Sequence, residues 1–281
     1  MLSRFSLSGS LLTLLCFSAC SAGADTTLTF NSLSNGSLVG QDGWLFSHNA
    51  PLVADGAGVD TTKVVTVLQG DAIAIRPRGV TPTTTNSSVL EFDSNLNSNL
   101  GTSLFGLADS TGGNSIAFGL NVPGSGPLAG TYAFELFDRS SSFNPAHALF
   151  SPLPNGTASD WYRIRLNIDF AANSGDGSGS LSYEDLTLGQ TAYTPVTGIQ
   201  DINLGLTAGN AATLDPTTWT HDWFYVATNG TLDNLSVNTV AAPSTPEPGT
   251  YALLTAGGLS GLLLRRRRDR HHSAVRADAA P

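Results

Sequence analysis

The stretch Trp219-Thr-His-Asp-Trp223 gathers two indoles, an imidazole and a carboxylate. Sugar recognition uses that mixture: a flat aromatic face for the apolar side of the ring, and neighbouring polar groups for its hydroxyls. On a strand, positions 219 and 223 share a face. Trp219, His221, Asp222 and Trp223 are therefore the candidate glycan-binding residues. Trp44 and Trp161 are the remaining indoles. The competing reading is that large aromatics fill the space between two packed layers, where Trp is commonly found.

Other constellations are incomplete. His48, His147 and His221 stand singly, without the paired spacing that zinc requires, and His271 and His272 lie near the C-terminus. A lone His between Trp219 and Trp223 equally fits a loop or edge packing residue. No Gly-x-Ser-x-Gly elbow occurs. Glu184 and Asp185 are adjacent, so on a strand they point to opposite faces and cannot flank one bond. Calcium takes Asp and Asn oxygens. Asp169, Asn173 and Asp176 border one Gly-Ser loop and Asp55 and Asp60 border another, but neither set follows an alternating Asp-x-Asp-x-Asn-Gly register. Gly, Asn and Asp are also what a tight hairpin needs. Calcium stays a candidate, and no other cofactor is expected.

Positioning these side chains is the work of strands. Tyr162, Ile164, Leu166, Ile168 and Phe170 alternate with Arg163, Arg165, Asn167 and Asp169, a strict period of two that marks a strand with one buried face. Ile116, Phe118, Leu120 and Val122 repeat it, as do Ile202, Leu204 and Leu206. Shorter runs recur through the chain, including Val89–Phe92, Ser103–Leu107, Tyr132–Phe137, Asp222–Val226 and Leu232–Val237, with turn clusters such as Asn173-Ser-Gly-Asp-Gly-Ser-Gly179 between them. Pro145–Phe150 is the best helical candidate. Many short strands without intervening helices predict an all-β fold of two antiparallel sheets packed face to face. In the last strand Leu235 and Val237 should point inward, with Asp233 and Asn234 near the solvent edge.

The charge distribution narrows the partners. The net charge is −9, yet only Lys63, Arg76, Arg78, Arg139, Arg163 and Arg165 are basic between Asp25 and Pro243. The remaining arginines sit at the two ends, so the central region is more acidic than the total suggests. An acidic surface disfavours nucleic acid and anionic lipid.

The ends carry sorting information. Arg4, the apolar Leu11-Leu-Thr-Leu-Leu-Cys-Phe17 and the small Ala22 and Ala24 form a signal peptide over residues 1–24, cleaved before Asp25. Ser18-Ala19-Cys20 offers a competing lipoprotein cleavage, although Phe17 departs from the usual first lipobox residue. Cys16 and Cys20 both fall in this leader, so the mature chain has no disulfide. At the other end, residues 241–249 form a Pro-rich linker containing Pro246-Glu247-Pro248, residues 250–264 an apolar segment, and residues 265–281 a basic tail opened by Arg265, Arg266, Arg267 and Arg268. The apolar segment is short for a ~30 Å hydrocarbon core and would span with local thinning. The arginines place the C-terminus in the cytoplasm.

This tripartite tail closely resembles the PEP-CTERM signal of exported proteins of Gram-negative bacteria. The resemblance implies an exosortase as processing partner, a transient stay at the inner membrane, and the cell surface or matrix as destination. A plain, unprocessed anchor is the alternative. Residues 25–240 carry a second resemblance. Gly40-Gln-Asp-Gly-Trp44, the block from Asp160-Trp-Tyr-Arg-Ile-Arg to Ser180-Leu-Ser-Tyr-Glu-Asp-Leu186, and Trp223-Phe-Tyr-Val through Gly230-Thr-Leu-Asp-Asn-Leu-Ser-Val237 look like concanavalin A-like jelly-roll modules. Such glucanases carry a Glu-x-Asp-x-x-Glu motif. The nearest match, Glu91-Phe-Asp93-Ser-Asn-Leu96, has Leu96 where the second Glu belongs, so the resemblance implies no catalysis. The expectation is a two-sheet sandwich between a signal helix and a transmembrane helix, with a non-catalytic structural or adhesive role at the surface or in exopolysaccharide. A glycan-binding module is the alternative, and a glycosidase or lyase a more distant one.

Overall fold

The computed structural model describes residues 26–55, 63–67, 70–78, 87–96, 101–139, 148–154, 156–157, 159–206, 214–227 and 230–240. The chain divides after Ala242, and every described residue precedes that point. Ala22, Ala24, Pro246, Glu247, Pro248, the arginines 265–268 and the helices expected at both ends lie outside the described residues, as do Asp60 and His147. Among the described residues no helix is long and apolar enough to cross a membrane.

Strands dominate. In chain order they are β1 (Thr26–Leu28), β2 (Gly36–Ser37), β3 (Leu45–His48), β4 (Leu52–Ala54), β5 (Val64–Thr66), β6 (Asp71–Pro77), β7 (Ser87–Leu96), β8 (Thr102–Ala108) and β9 (Ser115–Asn121). There follow β10 (Ala133–Arg139), β11 (Ala148–Pro152), β12 (Trp161–Asp169), β13 (Ser178–Asp185), β14 (Thr194–Pro195), β15 (Ile202–Asn203), β16 (His221–Ala227) and β17 (Gly230–Val240). They form a two-layer antiparallel sandwich. A ten-stranded sheet runs β14-β13-β12-β7-β17-β5-β4-β2, with β1 paired to β17 and β15 to β13. The seven-stranded sheet runs β11-β10-β9-β8-β16-β6-β3.

The core forms where the alternating apolar faces meet. Ile164, Leu166 and Ile168 of β12, Leu90 and Phe92 of β7, and Leu232, Leu235 and Val237 of β17 face Phe105, Phe118, Phe134 and Phe224 of the other sheet, all buried. Phe92 meets Phe118 edge-on at 5.3 Å and Phe105 at 5.8 Å, which locks the two layers ring against ring. Trp44, 1% exposed, packs on Phe224 at 4.8 Å.

Two local expectations are corrected. Residues 148–152, inside or beside the helical candidate Pro145–Phe150, form the edge strand β11. Asp233 is fully buried rather than solvent-edged. Leu232 and Leu235 both point inward although three positions apart, which a regular strand forbids. A bulge between Asp233 and Ser236, with Asn234 at φ 50°, absorbs the mismatch and turns Asp233 against the sheet.

Candidate functional site

The side of the seven-stranded sheet that faces away from the core is covered by a second apolar cluster: Leu104, Ala108, Ala117, Phe137 and Trp223, with Ile73, Ile75, Ala148 and Tyr225 packed on it. Strand register explains its shape. One cross-strand row runs Phe150, Glu135, Gly119, Leu104, Tyr225, Ile73. The next runs Ala148, Phe137, Ala117, Gly106, Trp223, Ile75. Large side chains stand on β10–β11 and on β16–β6, with Gly119 and Ala117 of β9 and Gly106 of β8 between them, beside Leu104. The result is a cleft of about 560 Å³, a size typical of ligand sites. Gly106 and Gly119 are required by the backbone itself, because a Cβ there would lie 1.8 Å from Ile116 O and 2.0 Å from Ser103 O.

The polar groups of this cleft form a short chain. Thr102 Oγ1 donates to Asn121 Oδ1 at 2.8 Å, and Asn121 Nδ2 donates to Glu135 Oε2 at 2.7 Å. Glu135 is 5% exposed. Burial pushes its carboxyl up to about 7, against the pull of the Asn121 amide, so near neutral pH it exchanges between acid and carboxylate. Across the cleft, burial raises the Tyr225 phenol to about 12, helped by its hydrogen bond to Asp71. The cleft wall thus offers aromatic surface, an amide, a phenol and two carboxyl groups.

The candidate residues of the Trp219–Trp223 stretch separate. Trp219 ends a 3-10 turn (Pro216–Thr218) that Asp215 caps through Thr217 N, and its ψ of 78° is not that of a strand. It is therefore out of phase with β16 and does not share a face with Trp223. Its ring is fully buried in the core, edge-on to Phe170 at 6.2 Å, and its Nε1 donates to Asn114 Oδ1 at 2.7 Å. A platform role for Trp219 is excluded by that burial. Asp222 faces inward too. It lies 3.2 Å from Arg78 Nε and 3.4 Å from Arg76 Nη2, and burial pushes its carboxyl up against the pull of those arginines. It holds charge between the layers rather than meeting a ligand. His221 is half-buried and shares a 2.8 Å hydrogen bond with Thr220 Oγ1. Trp223 alone of the four lines the cleft, at 4% exposure.

The carboxylates singled out by spacing lie on the opposite surface. Glu91 and Asp93 project from the outer face of β7 while Phe92 points inward. Asp93 receives a two-point bond from Arg163 at 2.8 and 2.9 Å and a third from Asn234 Nδ2 at 2.8 Å. Arg165 holds Glu91 at 2.6 Å and stacks 3.6 Å over Tyr193, whose hydroxyl also donates to Glu91. These acids are neutralised and tied down. The calcium candidates are engaged within their own loops: Asp169 Oδ1 accepts from Ala171 N and Ala172 N, Asn173 points its Nδ2 at Gly177 O, and Asp55 accepts from Asn35. Among the described residues no cluster of three metal-binding side chains forms.

Sequence reasoning missed Glu135, Asn121, Thr102, Tyr225 and Asp71. The available signal was the run Tyr132–Phe137, apolar on both faces except for Glu135, which marks a strand covered on both sides with one acid under the cover.

No family model and no curated protein matches the chain. Among solved structures it is similar to the exoplasmic/lumenal domain of VIP36 in its Ca2+/Man2-bound form, at 10% identity over 80% of this chain and 91% of that one, with a TM-score of 0.47. It is similar to a pseudo beta-1,3-glucanase of Mycobacterium tuberculosis, at 9% identity over 78% of this chain and 98% of that one, TM-score 0.40. It also matches the enzymatically active domain of bacteriophage CBA120 tailspike protein 2, at 12% identity and TM-score 0.43, with 70% of this chain spanning only 28% of that one. At these identities and TM-scores no residue and no activity carries over.

Proposed function

We propose that this chain is an exported β-sandwich of the concanavalin A-like jelly-roll type that binds extracellular polysaccharide without cleaving it, as an adhesive component of the cell surface or matrix. The carrying observation is the cleft on the seven-stranded sheet, where Trp223, Tyr225, Phe150 and Phe137 stand beside Glu135, Asn121 and Asp71. Aromatic walls with a few converging polar groups are what a pyranose needs. Hydrolysis would require a second carboxyl group within roughly 5–9.5 Å of the first. Asp71 is the other acid of the cleft, and it is tied to the Tyr225 phenol by a hydrogen bond. Glu135 therefore serves as a hydrogen-bonding group in this reading.

The leader and the Pro246-Glu247-Pro248 tail with Arg265 to Arg268 support export, a transient stay at the inner membrane and exosortase processing. Affinity electrophoresis of the protein through gels containing neutral or acidic polysaccharides tests the binding reading. Phe150→Ala and Tyr225→Phe should restore free migration in a gel that retards the parent, while both variants keep their circular dichroism. Release of reducing ends or unsaturated products from the same polysaccharides would instead establish an enzyme.

A further inference from the structure

Glu135 differs from Asp93, Glu91 and Asp222 in what it is paired with. Asp93 is held by Arg163, Glu91 by Arg165, and Asp222 lies against Arg76 and Arg78. Each carries a guanidinium. Glu135, 5% exposed, is bonded among the described residues by the Asn121 amide, and that amide is fixed from behind by Thr102. Among the described residues no Lys, Arg or His lines the cleft, while Asp71 supplies a further acid on its wall. Among the described residues the cleft combines carboxyl groups and aromatic walls without a cation.

We infer that the cleft selects amine-bearing saccharides, a hexosamine whose ammonium group supplies a counter-cation to Glu135. This rests on the reading of the cleft as a glycan site and narrows its ligand class. An ammonium brings several N–H donors to a carboxylate and is attracted to aromatic faces, both strengthened where water is excluded. A uronate would meet like charge. A neutral sugar would leave Glu135 holding its proton, which burial already favours up to about pH 7. Amine binding displaces that proton, so ligand affinity and proton release are linked.

Titration calorimetry on the purified full-length protein in 0.15 M salt tests this, with three probes of equal length: a fully deacetylated chito-oligosaccharide, its N-acetylated counterpart and a neutral β-glucan oligomer. Near pH 7 the deacetylated probe should bind about tenfold tighter or more than the other two, the yield of one charge-assisted contact. Repeating the titration in buffers of different ionisation heat should show the parent releasing more protons than Glu135→Gln. That variant keeps the shape and the Asn121 contact, and should lose the tenfold preference. Asp71→Asn, a second variant, should weaken the preference by a smaller factor. Equal or weaker binding of the deacetylated probe overturns the inference. So does a preference that survives in Glu135→Gln, because that is diffuse attraction to an acidic surface. If the neutral and acetylated probes bind and the amine gains nothing, only this inference falls. If no probe binds, the polysaccharide reading falls with it.

Discussion

Replacing Trp219 by Ala should damage the fold and leave the ligand face alone. The ring is fully buried, packs edge-on to Phe170, and gives its only N–H to Asn114. Truncating a core indole costs about 3–5 kcal/mol in lost burial and cavity. Asn114 Oδ1 keeps its other donor, the Asp215 N–H at 3.2 Å, so little is added for an unsatisfied acceptor. A loss of about 4 kcal/mol is a large share of the 5–15 kcal/mol that holds a typical domain, and should lower Tm by roughly 8–16 °C for a sandwich of this size. Trp219→Phe keeps most of the ring and forfeits the hydrogen bond, and should cost about 1–2 kcal/mol. Urea unfolding followed by fluorescence and circular dichroism measures both, and polysaccharide retention below the transition should match the parent. A Trp219→Ala protein that loses under 1 kcal/mol but no longer binds polysaccharide would refute the inside placement and restore the paired-indole platform.

Three further outcomes follow from the same geometry. Arg163→Met leaves Asp93, fully buried, with Asn234 in place of a two-point guanidinium, and should cost about 3–5 kcal/mol in urea unfolding. Glu135 binds its proton more tightly folded, at about 7, than unfolded, at 4.5, so its contribution to stability is full below pH 4.5 and is lost as pH rises through 7. That shift amounts to about 3 kcal/mol, and Glu135→Gln should remove this pH slope and be the more stable protein at pH 8. Gly106→Ala forces a Cβ into the Ile116 carbonyl of the neighbouring strand, where nothing flexible can yield, and should destabilise by at least about 3 kcal/mol in thermal unfolding.

The sandwich was legible because its best strands obey one simple rule. Tyr162 to Ile168 alternate apolar and polar, and β12 buries that apolar set facing the core. β9 buries Ile116, Phe118 and Leu120 facing the core in the same way, with the small Ala117 and Gly119 rather than polar residues between them. Where both faces of a strand are covered, alternation vanishes. β16 reads as an almost continuous apolar run because Phe224 and Val226 meet the core while Trp223 and Tyr225 meet the outer cluster. Nothing in Trp219-Thr-His-Asp-Trp223 tells that a 3-10 turn ends at Trp219 and puts the two indoles on different surfaces. The cleft was hidden for a related reason. Glu135, Asn121, Tyr225 and Asp71 come from four strands separated widely in sequence, and only register brings them to one face. Glu91 and Asp93 stand on an outward strand face, and Arg163 and Arg165 opposite them complete the pattern. Pro145–Phe150 misled because an edge strand with exposed Leu149 and Phe150 lacks a clean period.

The central claim is that ligand binds on the outward cleft of the seven-stranded sheet. A crystal structure of the protein soaked with a chito- or gluco-oligosaccharide tests it most directly. The account predicts sugar density between β10–β11 and β16, with a pyranose against Tyr225 or Phe150 and a polar group of the sugar within hydrogen-bond distance of Glu135. Sugar density on the Arg163–Arg165 face of the ten-stranded sheet, with the cleft empty, would contradict it.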